Sequence, residues 1–229
     1  MKKILLVLTN TSTYGEDSEK TGLWLGEATE FVLALRDQFE FDYVSPNGGV
    51  VPIDPRSLKY AKKNDIELMN DEEFKNKALT NSLKPSQVNA KDYFAIYYTG
   101  GHGVMWDFPN NTELQKIAIK IYQNNGYVAS VCHGIAGLLN IKDEQDVYLI
   151  NSKRVTGFTN TEEIISAKKK KVPFINKSEV KKRGGIFKSK RFFKPFALID
   201  SRIITGQNPF SVIKVANLIK KEANKNHTV

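Results

Sequence analysis

The chain has one cysteine, Cys132, and it stands between a short β-branched run and a glycine in Tyr127-Val128-Ala129-Ser130-Val131-Cys132-His133-Gly134. Tyr127 to Val131 reads as a buried strand, because it is brief, apolar and rich in branched side chains. Gly134 permits a tight turn, and Ile135-Ala136-Gly137-Leu138-Leu139 begins a helical pattern. A cysteine on such an elbow is a candidate nucleophile. The free N–H groups and the positive end of a helix dipole are expected there to lower its thiol pKa. The adjacent His133 is a candidate base or counter-ion. The alternative is a small buried core cysteine beside a chance histidine.

Three further segments could join that chemistry. Gly100-Gly101-His102-Gly103 follows a strand-like run directly, and glycines let backbone N–H groups approach an oxyanion. With the His133 amide these could form an oxyanion hole, although a glycine-rich turn by itself is weak evidence. Glu27 lies on an otherwise apolar helical stretch; read alone it is a surface carboxylate, since ionised carboxylates are seldom buried unpaired. Glu162 and Glu163 follow Val155-Thr156-Gly157-Phe158-Thr159-Asn160-Thr161 and either orient His133 or cap the helix begun by Thr159 or Asn160.

These segments need a scaffold, and the pattern of the chain supplies one. Strand-like runs at Lys3–Thr9, Phe39–Val44, Tyr93–Tyr98 and Tyr127–Val131 alternate with helical patterns at about 21–38 and 112–124. Such alternation argues for a mostly parallel sheet between helical layers, an α/β flavodoxin-like fold with a nucleophile elbow. Sites on such sheets lie at the carboxyl ends of the strands. Val147–Ile150 and Arg154–Thr156 read as short strands. Phe196–Ile199 and Arg202–Thr205 read as a hairpin, and Asn208 opens a last helix through about Ala223. Residues of about 50–90 look like an elaboration beside the core rather than a second domain, so 1–229 is read as one domain.

The net charge of +9 is local: residues 1–130 hold 14 Lys/Arg against 17 Asp/Glu, whereas 168–194 hold 12 basic residues against Glu179 alone. That stretch could face an anionic partner, but no recognition motif accompanies it, and lysine outnumbers arginine as on a solvated surface. Nucleic acid is not expected as a partner. One cysteine excludes an internal disulfide and fits a reducing compartment. The apolar start is too short for a secretory core and no spanning segment follows, so a cytoplasmic protein without membrane contact is expected. The three histidines, His102, His133 and His227, show no metal-ligand spacing.

Six ordered motifs carry a resemblance over nearly the whole chain. They are Lys20-Thr21-Gly22-Leu23-Trp24-Leu25-Gly26-Glu27, Thr99-Gly100-Gly101-His102-Gly103, Trp106-Asp107-Phe108-Pro109, Val131-Cys132-His133-Gly134, Val155-Thr156-Gly157-Phe158-Thr159 and Thr205-Gly206-Gln207-Asn208-Pro209. On these the chain resembles the PfpI-type superfamily, relatives of class I glutamine amidotransferases, and within it the heat-shock chaperone and glyoxalase III branch. The resemblance implies a Cys132 nucleophile, a His133 base, Glu163 rather than Glu162 as the acidic third member, and Glu27 as a carboxyl bonded to the sulfur. It implies an oxyanion site at Gly101, with His102 and Gly103 beside it. Trp24, Trp106 and Phe108 either line the pocket or are core aromatics.

The implied activity is a cofactor-free and metal-free conversion of methylglyoxal or a related 2-oxoaldehyde to a 2-hydroxy acid, in a homodimer, with unfolded-protein clients as further partners. The competing functions are a stress-response chaperone, a redox sensor built on the same thiol, and a cysteine peptidase or amidohydrolase. Two features depart from the family pattern: Ile135 stands where the elbow usually continues with proline, and the basic stretch is poorly matched.

Overall fold

The computed structural model describes residues 1–225. His227, one of the three histidines, lies outside the described residues. Among the described residues eight strands form, β1 (Lys2–Val7), β2 (Phe39–Val44), β3 (Tyr93–Tyr98), β4 (Tyr127–Val131), β5 (Arg154–Val155), β6 (Ile186–Phe187), β7 (Ala197–Asp200) and β8 (Ile203–Gly206). The α-helices are α1 (Leu25–Leu35), α2 (Lys63–Asn70), α3 (Glu72–Phe74), α4 (Val104–Asp107), α5 (Thr112–Gln123), α6 (Asn160–Ile165), α7 (Asn176–Lys182) and α8 (Val212–Lys225).

The main sheet has the order β2-β1-β3-β4-β8-β7. Its first five strands run parallel, and β7 closes one edge antiparallel to β8. The period-2 alternation of β1 explains how one sheet feeds two cores. Ile4, Leu6 and Leu8 point to the layer of α1 and α8, packing with Phe31, Leu35, Val215 and Ile219. Leu5 and Val7 point to the layer of α5, packing with Ile96, Ile117 and Ile121. The Phe31 ring stacks on Tyr97 at 3.8 Å between centroids, and the Tyr97 hydroxyl donates to the Glu27 carbonyl at 3.0 Å. That pair seats the first turn of α1 against the sheet.

The order reverses at β1, whose neighbours β2 and β3 lead away in opposite directions, and this is where an open parallel sheet leaves a crevice. The doubly covered, mostly parallel α/β architecture agrees with the alternation read from the sequence. Two expected elements differ. Val147–Ile150 forms no strand, only an isolated bridge of Tyr148 to Lys142; Leu149 and Ile150 are buried against the α5-side core, so their hydrophobicity serves packing rather than a ladder. The helix expected from about Thr21 begins at Leu25, because Thr21 to Leu23 are held extended, with Leu23 bridged to Ile53. β5 pairs not with the main sheet but with β6, inside the basic stretch. Among the described residues no helix is long and apolar enough to cross a membrane.

Candidate active site

Cys132 follows the last residue of β4 and has φ +57°, a left-handed conformation that few non-glycine residues adopt. The residues after it tighten into 3-10 turns through Leu138 rather than a regular helix. This is a strained strand-to-turn elbow, and strain of this kind clusters at functional sites, at a cost of about 1–3 kcal/mol per residue. Cys132 and His133 are both buried, with 3% and 1% of their surface exposed.

His133 connects two groups. Its Nδ1 lies 3.3 Å from the Cys132 sulfur, and its Nε2 lies 2.8 Å from Glu163 Oε2. The other Glu163 oxygen, Oε1, is 2.7 Å from His102 Nε2. Glu163 sits one position into α6 beyond Glu162, and the two carboxylates divide the labour that the sequence left open. Glu162 accepts from the Thr159 backbone N–H and hydroxyl and receives the Gln207 and Asn208 side-chain amides, so it caps the helix and ties it to the loop after β8. Glu163 faces the histidines. Burial opposes its charge, but His133 and His102 outweigh that and hold its carboxyl well below the usual range.

His102 is itself fixed from the other side. Arg56 Nη2 lies 2.9 Å from His102 Nδ1. An arginine can only donate, so Nδ1 accepts and Nε2 carries the proton that His102 gives to Glu163. Burial and the neighbouring His133 push the His102 pKa down to about 4, which keeps the ring neutral near pH 7. Tyr14 also binds Arg56, and Asp54 Oδ2 accepts from Nη2 at 2.7 Å. By residue type, Pro52-Ile53-Asp54-Pro55 signals only a turn. An aspartate two residues before an arginine was the signal available, but nothing in the spacing connects Arg56 to His102, 46 positions away.

On the opposite side of the sulfur lies Glu27, with no exposed surface. Its Oε2 accepts from the Gly100 N–H at 2.6 Å, while Oε1 has no nitrogen or oxygen partner. Burial pushes its pKa up to about 8, against the Cys132 thiol and the Gly100 N–H, which favour its charge. The surface reading of Glu27 is therefore wrong, because the apolar face of α1 carries it against the carboxyl end of β3. The Cys132 thiol is pushed well up by burial, then by the Glu27 charge, with the His133 backbone N–H opposing. The elbow was expected to lower the thiol pKa, but desolvation and one buried carboxyl exceed what a backbone dipole supplies.

Glycines make this closeness possible. A Cβ on Gly100 would sit 2.5 Å from Glu27 Oε2, and one on Gly101 (φ +101°) would sit 2.1 Å from the Gly22 carbonyl. Gly103 is buried against the Thr9 and Thr11 loop, away from the open space.

A cavity of about 870 Å³ opens above the cysteine. Gly101, His102, Cys132, His133 and Phe158 form its inner end, Trp24, Arg56, Lys59 and Tyr60 one wall, and Ile165, Phe193, Phe210 and Ile213 the other. Trp24 thus lines it, its ring tilted against Tyr60 at 5.6 Å. Trp106 and Phe108 do not: Trp106 meets Tyr14 edge-on at 5.9 Å, and Phe108 packs on Tyr98 at 5.5 Å in the core. Between them Asp107 accepts from the Thr9 hydroxyl and the Asn10 N–H, both at 2.8 Å. That motif anchors the loop after β1. His102, His133 and Glu163 place one ligand atom each within 4.8 Å of one another. Both Glu163 oxygens are already engaged by the rings, so the trio is satisfied as a hydrogen-bond relay.

A buried cysteine on an elbow after the fourth parallel strand, with a histidine beside it and a glutamate on each side, defines a class. The chain belongs to the DJ-1/PfpI family, whose model matches residues 2–222. Among individual proteins it is 33% identical to glyoxalase 3 of Candida albicans over 94% of this chain and 96% of that one. It is 34% identical to the glutathione-independent glyoxalase HSP31 of Saccharomyces cerevisiae, over 94% and 95%. The solved structure of Candida albicans glyoxalase III superposes with a TM-score of 0.86, at 32% identity and 96% coverage of both chains. That of the rapid encystment protein REP24 of Francisella tularensis superposes with a TM-score of 0.93, at 39% identity over 96% of this chain and 98% of that one.

Proposed function

We propose that this chain is a glutathione-independent glyoxalase that converts a 2-oxoaldehyde to the 2-hydroxy acid through Cys132. The observation that carries the reading is the buried Cys132 between His133 and Glu27, at the inner end of a cavity, in a chain whose full-length relatives are named for this activity.

The steps follow from the proton positions. Glu27 and Cys132 are close enough that only one of them is readily charged at a time, so a protonated Glu27 leaves room for a negative sulfur, and His133 Nδ1, 3.3 Å away, takes the thiol proton. The thiolate adds to the aldehyde carbon, and the resulting oxyanion meets the N–H groups of Gly101 and His133. Removal of the proton from that carbon by His133 or Glu27, and its return to the neighbouring carbonyl carbon through an enediol, gives a 2-hydroxy thioester. Water then hydrolyses the thioester, releasing the acid and restoring the thiolate. Glu163 holds the His133 ring and stabilises its protonated form through the enediol step, while His102 and Arg56 hold Glu163.

The test is lactate formation from methylglyoxal without glutathione or added metal, beside Cys132→Ser and Glu27→Gln. Lactate from the wild type alone is expected; no lactate from a wild type whose Cys132 still alkylates would overturn the reading. A second reading, a chaperone, is favoured by the apolar rim of the cavity, where Ile165, Phe210 and Ile213 are all exposed. It predicts suppression of aggregation that persists in Cys132→Ala. The same rim suits the homodimer that the resemblance implies, which sedimentation of the purified chain would check.

A further inference from the structure

The cavity is far larger than a three-carbon aldehyde requires, and one of its walls carries more charge than the reacting end uses. Arg56 is fixed rigidly there. Its Nε donates to Asp54 Oδ1 at 3.1 Å, and its Nη2 is shared among Asp54, Tyr14 and His102. Asp54 is wholly buried and holds the guanidinium in place. Nη1, by contrast, has no hydrogen-bond partner among the described residues, although Arg56 lines the cavity. A fork anchored on one edge and free on the other is a pre-organised donor, because little side-chain freedom remains to be lost on binding.

The charges around it favour an anion. Lys59 lines the same wall, is exposed, and forms no ion pair among the described residues. The acid of that wall, Glu30, is engaged by Lys62 at 2.8 Å. At the inner end Glu163 is enclosed by two histidines, and burial raises the Glu27 pKa to about 8. The Tyr14 and Trp24 rings flank the guanidinium, at 5.6 and 5.9 Å, and thin the water around it. Asp54 neutralises one positive charge, and Lys59 restores it.

We propose that Arg56 and Lys59 form a carboxylate-binding corner, so that the preferred substrates are 2-oxoaldehydes carrying a carboxylate at the end remote from the aldehyde. The claim rests on the glyoxalase reading for the reacting end and on this wall alone for the remote end. Arg56 receives the carboxylate on its free Nη1 edge, a charge-assisted contact with fixed geometry. Lys59 adds a mobile point charge. The uncharged end reacts at Cys132 as described above.

The experiment compares two straight-chain five-carbon 2-oxoaldehydes, one ending in a carboxylate and one in a methyl group. In the wild type kcat/KM is expected to favour the carboxylate by roughly 10- to 100-fold, through KM. The ratio should collapse towards unity in Arg56→Gln, recover partly in Arg56→Lys, and fall a few-fold in Lys59→Gln, which leaves Asp54 paired. Because each ratio is measured within one protein, a general loss of activity cancels. Equal use of both substrates by the wild type, or an unchanged ratio in Arg56→Gln and Lys59→Gln alike, overturns the proposal. If neither aldehyde is consumed, the glyoxalase reading fails by itself, and calorimetric titration with pentanoate decides the corner. Binding that weakens in Lys59→Gln and Arg56→Gln supports it, and no binding to the wild type overturns it.

Discussion

Two buried glutamates flank the same cysteine–histidine pair, and their surroundings drive them to opposite states. Glu163 lies among donors, with an imidazole on each oxygen, and its carboxyl is held well below the usual carboxylate range. Glu27 lies among apolar side chains of α1 with one backbone N–H, and its pKa rises to about 8. Residue type is the same and depth is nearly the same; the number and kind of hydrogen-bond partners decide. One glutamate is thereby suited to hold a cation opposite it, and the other to lend and take back a proton.

The largest effect should come from the charged flank. Glu163→Gln replaces an acceptor of two N–H groups by an amide whose NH₂ must face one of them. His133 then loses its orientation, and we expect kcat to fall roughly 1,000-fold with the fold intact. A loss below ten-fold, measured on methylglyoxal, would mean that this carboxylate only packs. The neutral flank is tested next, through the thiol itself. Because burial and Glu27 hold the thiol up, alkylation of Cys132 by iodoacetamide should still be accelerating as the pH passes 8. A plateau below pH 7 would show instead the low-pKa thiol of an exposed elbow.

The smallest effect is on stability, and its sign separates the two glutamates. The Glu27 pKa is raised from 4.5 to about 8 on folding, so between those values the folded protein holds a proton that the unfolded chain releases. Its contribution is present in full below pH 4.5 and is lost as the pH rises through 8. Glu163 works the other way, adding stability above the ordinary carboxylate range that is lost on acidification. Chemical denaturation from pH 5 to 8 should therefore show wild type losing a few kcal/mol relative to Glu27→Gln as pH rises. Parallel curves would remove Glu27 from the buried titration.

Much of this site was legible in the chain, for reasons that are local. The strand-to-turn switch around Cys132, the Gly-Gly-His-Gly turn and the strand alternation each express a short-range backbone preference that neighbouring residues reveal. Glu27 was misread from its residue type, because its burial depends on which face of α1 meets the sheet. The resemblance supplied what the periodicity did not. Arg56 was missed entirely, since its link to His102 is a contact between two loops that no pattern within either one announces. The low-pKa expectation for the thiol failed similarly: a helix dipole can be read from sequence, whereas desolvation needs the packed molecule. The opposite holds for Val147–Ile150, whose local hydrophobicity read as a strand, although burial there comes without pairing.

β4 becomes an interior strand only when β8, some 70 residues later in the chain, docks along it and pairs Ser130 with Thr205. Until then the sheet ends at β4, and the capping of Glu162 by Gln207 and Asn208 has not formed. A ribosome-bound chain emerging as far as α7 would carry every residue of the Cys132–His133–Glu163 line, yet hold Glu163 on an untethered helix. Competence for chemistry thus waits on β8, and the reactivity of one sulfur reports whether that late strand has docked.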